Sequence, residues 1–168
     1  MTAQRLAELR RDLDAARDEL SAALENADRT LLTVPGLVGD WSARELVAHL
    51  AHWVDWASTC LDAAAAGTLD TLGSDDWDVD AQNADVAAAV ASLPMSAVRD
   101  REAESYERLV ALLAGLDPAL LAMPAPWGGT LDTIVVANGP GHYAEHAEHV
   151  RSWFAAGADE GDEDDEAE

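Results

Sequence analysis

The chain has 168 residues, 49% of them hydrophobic, and a formal net charge of -23 in which every basic residue is arginine. That length suits one domain with a substantial core, and so negative a field repels nucleic-acid phosphates and anionic lipid, so the expectation is no nucleic acid and no membrane as partners. The lone Cys60 excludes an internal disulfide and a multi-thiolate metal site. The N-terminal MTAQRLAELRRDLDAARDEL mixes both charges and does not fit a signal peptide, and no run in the chain fits a membrane span, so a soluble, cytoplasmic protein is expected.

Taken in order, Leu6, Leu9, Leu13, Leu20, Leu24 and Leu31, with Ala16 and Ala27 between them, recur at three-and-four spacing and predict an amphipathic helix from Ala3 to about Leu32. Pro35, Gly36 and Gly39 make a loop. Ser42 and Glu45 form S-x-x-E ahead of an apolar run, predicting a capping box and a second helix to Gly67. Thr68 to Asp80 is turn-like and carries Trp77. An Ala-rich helix from Asp80 to Leu93 meets Pro94, and Ser96 is the expected cap of a further helical stretch to Ala114. Leu116 to Gly129 is a proline-rich connection with at most a short turn at Ala119 to Ala122. Thr130 caps a last helix to Ala156, in which Asn138-Gly139-Pro140-Gly141 either introduces a kink or ends one helix and starts another with Asn138 as cap. These elements form one domain over 1–157, and the like-charged tail 158–168 is expected to be disordered.

His142 and His146 lie four residues apart, so a helix points both imidazoles the same way, and a third histidine on a facing helix would complete one side of a metal site. His49, at the edge of the second helix's Leu46, Leu50, Trp53, Val54, Ala57 and Leu61 stripe, is that candidate. If the three meet, the chain is a metal-site bundle; if not, it is a plain acidic helical domain, in which an edge histidine serves a carbonyl. His52 points toward water and His149 is spare. Cys60 lies about 16 Å along the helix from His49, too far to share an ion, and reads as a small apolar core residue. Glu145 and Glu148 flank the pair, either as acceptors that orient imidazoles or as ordinary surface charges. Trp41, Trp77 and Trp127 either roof a pocket or cover the ends of the core, and Tyr106 and Tyr143 read first as structural.

DWSARELVAHLAHWVDWA resembles the G-W-[ST]-x-x-[DE]-L-x-x-H-L-x-x-W signature of the DinB-like four-helix bundle superfamily, with Asp40 in place of its glycine, and GTLDTIVVANGPGHYAEHAEHVRSWF resembles the superfamily's last helix, ending in H-x-x-x-H. The chain is most similar to the mycothiol-dependent maleylpyruvate isomerase-like and ClbS/DfsB-like branches. The resemblance implies an all-α, up-down four-helix bundle. It also implies a metal triad of His49, His142 and His146, holding a divalent ion such as Zn or Ni that activates a low-molecular-weight thiol for S-transfer to, or isomerisation of, a small electrophile, with Trp77 and Trp127 shaping the electrophile pocket. Two other readings stand beside it: a metal-free small-molecule binding or detoxification module of ClbS/DfsB type, and a structural homodimer joined through the first helix's leucine seam.

Overall fold

The computed structural model describes residues 3–73 and 78–159. Trp77 and the acidic stretch 160–168 lie outside the described residues. Helix α1 (Ala3–Asn26) buries Leu6, Leu9, Leu13, Ala16, Leu20 and Leu24 along one stripe. It ends at Asn26 instead of near Leu32 because the Asp28 carboxylate accepts from both the N–H and the hydroxyl of Thr30, each at 2.8 Å. Such local side-chain bonds offer the backbone an alternative to the helical ladder. Leu32 still reaches the core from the ensuing turns.

Helix α2 (Ala43–Ala66) begins with the expected capping box of Ser42 and Glu45 and stops at Gly67, whose φ of 72° is left-handed. Just before it, the N–H groups of Gly36, Leu37 and Val38 all point at the Trp41 carbonyl, a tight knot that sets the Trp41 ring over the first turns of α2. Helix α3 (Val79–Val90) is capped by Asp78 and buries no residue fully. Pro94 then separates it from α4 (Met95–Gly115). Ser96 is inside α4 and does not cap it: the cap position is Pro94, whose apolar ring makes no capping hydrogen bond. Pro118–Ala122 forms a single 3-10 turn. Thr130 and Thr133 cap each other reciprocally at the start of α5 (Leu131–Asn138), and α6 (Pro140–Asp159) begins after one residue.

In the bundle, α1 packs along α6, α2 along α4, and the broken last helix α5–α6 closes against α1 and α2, while α3 lies on the outside of α2. The result is an all-α up-down four-helix bundle with α3 added to it. The leucine seam of α1 is spent inside the chain, with Leu9 and Leu13 at 1% and 0% exposure, so that seam is not free to join a second copy. No helix among the described residues is long and apolar enough to cross a membrane.

The break between α5 and α6 falls at Gly139. Asn138 ends α5 and is not the cap of α6; its side-chain amide donates back to the Ile134 carbonyl at 2.9 Å. A Cβ on Gly139 would stand 2.7 Å from the Val135 carbonyl oxygen and 3.3 Å from Leu13, and Pro140 removes the next N–H donor. Gly139→Ala should therefore cost roughly 1–3 kcal/mol by overpacking. A urea titration followed by circular dichroism should show the midpoint falling with the slope unchanged; an unchanged midpoint would mean that the helix junction is not tightly packed.

Candidate metal centre

The register of α6 is fixed one residue beyond His142. Tyr143 is fully buried, and its hydroxyl donates to the carboxylate of Glu102 on α4, itself buried. Arg17 of α1 meets the same carboxylate in a two-bond fork, Nε to Oε1 at 2.8 Å and Nη2 to Oε2 at 2.9 Å. The Arg17 guanidinium also lies over the Tyr106 ring at 4.2 Å, and the Tyr106 hydroxyl donates to Asp14 at 2.7 Å. A buried charge is tolerated only when paired and hydrogen-bonded, and here one carboxylate takes donors from two other helices. Burial, with the Glu102 charge beside it, pushes the Tyr143 phenol far above its ordinary pKa, so it stays a donor.

With α6 held this way, His142 and His146 come opposite His49 of α2. One ring nitrogen from each of the three lies within 4.8 Å of the others. The His49–His142 and His142–His146 ring centroids are each 4.7 Å apart, and His49–His146 are 5.3 Å apart. Nε2 of His49 and Nε2 of His142 approach to 2.9 Å. Burial holds all three imidazoles well below their usual pKa, with the neighbouring rings adding to the effect: His49 and His142 fall to about 4, and His146 to about 3. They are neutral at neutral pH, the protonation state that metal ligation requires.

The donor set fits a divalent transition ion. Three neutral imidazoles without a thiolate suit Zn or Ni, and three protein ligands leave a position open. Two of the rings have their far nitrogens engaged: Nδ1 of His49 lies 3.0 Å from Asn83 Oδ1, and Nδ1 of His146 lies 3.1 Å from Nδ1 of His149. Nδ1 of His142 is buried and has no hydrogen-bond partner among the described residues, so the ring is held by its Nε2 contact with His49 and by packing against the other two rings.

Several neighbours differ from the sequence reading. His149 is not spare, since it bonds His146, and His52 does not simply face water, since its Nε2 lies 3.2 Å from Gln82 Oε1. Glu145 is exposed and Glu148 accepts from Arg151 and Ser152, so neither orients an imidazole. Their place is taken by Asn83, which sequence reasoning missed; its one signal was an amide pair, Gln82-Asn83, in an otherwise alanine-rich helix. Glu102 was also missed, although it stands on the α4 stripe of Val98, Ser105, Leu109 and Leu113, where a carboxylate needs an explanation. Of the loop tryptophans, Trp41 packs on His49 at 5.0 Å, whereas Trp127 stacks on Trp56 at 5.7 Å and is 44% exposed. Cys60 is buried and free, its thiol pushed up to about 11 by burial, and it is no part of the cluster.

Residues 13–139 match the mycothiol maleylpyruvate isomerase N-terminal domain. The chain belongs to that family. The match includes His49 but stops short of α6, so His142 and His146 are placed by this structure's geometry. No curated protein matches in sequence. Among solved structures, an uncharacterised protein from Escherichia coli UTI89 is 17% identical with a TM-score of 0.75, covering 91% of this chain and 94% of its own. The colibactin self-resistance protein ClbS, in complex with double-stranded DNA, is 18% identical with a TM-score of 0.74, covering 88% and 93%. DfsB, a sibling lethal factor precursor, is 16% identical with a TM-score of 0.73, covering 88% and 94%. At these identities the likeness is one of fold, that of the DinB-like bundles. The ClbS complex overturns the expectation that nucleic acid is excluded. Net charge is a sum over the whole chain, weighted here by an acidic C-terminus, and it does not decide what a local face of this fold can meet.

Because Tyr143 is adjacent to a candidate ligand, the Glu102 network and the centre are coupled. Tyr143→Phe leaves the buried carboxylate one donor short, at a cost of about 1–3 kcal/mol. Differential scanning calorimetry should record a lower melting temperature; a variant as stable as the parent would remove the network from the account of how α6 is held.

Proposed function

We propose that the chain is a metal-dependent, thiol-using member of its family, a transferase or isomerase acting on a small electrophile. The observation that carries this reading is the convergence of three neutral imidazole nitrogens from two helices on one point. His49, His142 and His146 would hold a divalent ion, Zn or Ni by their chemistry. Bound there, such an ion supplies Lewis acidity that lowers the pKa of a thiol in the open position, so that thiolate is available near neutral pH. The protein's own part is to keep the three donors neutral through burial and to hold the His49 ring by packing it against Trp41 and Trp53, whose ring centroids lie 5.0 and 6.2 Å from its own.

A second reading, a metal-free small-molecule binding or detoxification module, draws on the direct His49–His142 bond, which is satisfied without an ion. Elemental mass spectrometry separates the two. Untagged protein incubated with Zn or Ni and then desalted should retain near one ion per chain, and His49→Ala should retain almost none. The loaded protein should then consume a low-molecular-weight thiol in the presence of an electrophile, and the variant should not. Parent protein that keeps no ion would leave the metal-free module as the reading.

A further inference from the structure

The amide of Asn83 stands between two donors. Its Oδ1 lies 3.0 Å from Trp53 Nε1 and 3.0 Å from His49 Nδ1. An indole nitrogen can only donate, so the Asn83 atom facing it must be the carbonyl oxygen, and that contact sets the orientation of the amide. A carbonyl oxygen can only accept, so the His49 nitrogen facing it must carry the proton. His49 is thereby fixed as the Nδ1–H tautomer, with the lone pair of Nε2 aimed at His142 and at the point where the three rings converge. Trp53 is on α2 and one turn from His49, so the indole and the imidazole present their two N–H groups side by side, and a single oxygen from α3 answers both.

We infer that Asn83 is the positioning residue of the metal centre: it sets the tautomer and ring plane of His49 so that Nε2 is the ligating atom. The inference rests on the proposed metal reading for its consequence, but the tautomer it assigns belongs to the metal-free protein and is measured there. The neighbouring Gln82 makes a second polar link from α3 to α2, to His52, which is not among the converging nitrogens. Removing that link tests whether docking of α3 alone is enough.

Two measurements on the full chain decide it. In metal-free protein at neutral pH, long-range nitrogen–proton correlation spectra should report His49 with its proton on Nδ1 in the parent and in Asn83→Asp, which keeps an acceptor at that place. Asn83→Leu should lose that preference. A His49 protonated at Nε2 in the parent would overturn the inference whether or not the protein binds metal. Zn affinity by competition with a chelating dye should fall about 10- to 100-fold in Asn83→Leu, the range typical of lost outer contacts to a ligating histidine. It should stay at or above the parent value in Asn83→Asp and be unchanged in Gln82→Leu. Equal losses in Asn83→Asp and Asn83→Leu, or a loss in Gln82→Leu matching that in Asn83→Leu, would show that α3 packing and not the acceptor matters, and would also overturn it. Thermal melts accompany each variant, so that an unfolded Asn83→Leu is recognised and the decision passes to the tautomer in the parent and to the Asp and Gln82 variants. Parent protein that binds no Zn defeats the metal reading alone, and the spectra still judge Asn83.

Discussion

The buried carboxylate of Glu102 is what the rest of the molecule is arranged around. It binds α4 to α1 through the Arg17 fork and to α6 through the Tyr143 hydroxyl, so three of the four main helices share one charged acceptor. Removing the charged partner of such a carboxylate is far more costly than losing an ordinary contact, of order 3–5 kcal/mol, because the charge left behind has nowhere to go. Apolar packing alone tolerates sliding and rotation of one helix against another; a hydrogen bond to a fixed carboxylate does not. Tyr143 is therefore the residue that turns a generic leucine–alanine bundle into one with a defined register for α6. Its neighbour His142 inherits that register.

The second constraint is the discontinuity at Gly139. An unbroken last helix would carry the face of α5 straight into that of α6. The missing side chain at Gly139 and the missing donor at Pro140 let the chain restart, and the Tyr143 N–H then returns to the Gly139 carbonyl at 3.0 Å. The feature that interrupts the helix is thus next to the one that fixes its continuation. Together they bring a pair of histidines spaced at one turn to face a third from α2.

Much of this was legible in the sequence. The S-x-x-E cap, the Thr130 cap, the leucine stripe of α1 and the His142–His146 pair all derive from spacing and residue chemistry, because each depends on neighbours within a turn or two, whereas the pairing of that couple with His49, 93 residues away, came from the family resemblance. The errors have separate causes. Asp28 ended α1 early by bonding to Thr30, a choice that periodicity does not register, and Ser96 lost its capping role because Pro94 already starts α4. Asn83 and Glu102 were invisible for a different reason. Their partners lie 34 and 85 residues away in the chain, and no local pattern encodes such pairings. The charge argument failed on nucleic acid because a total says nothing of where the charges sit.

Helix α3 carries one more consequence. It has no fully buried residue, so its attachment depends on half-buried contacts and on the two amides of Gln82 and Asn83. Elements with so little buried surface open locally at a small fraction of the global unfolding free energy. An ion held at the histidines as proposed would bind with an apparent dissociation constant equal to the intrinsic one divided by the fraction of time α3 is closed. Affinity at the histidines would then depend on a helix that supplies none of them, and a contact on the outer face of α3 would be felt there from a distance.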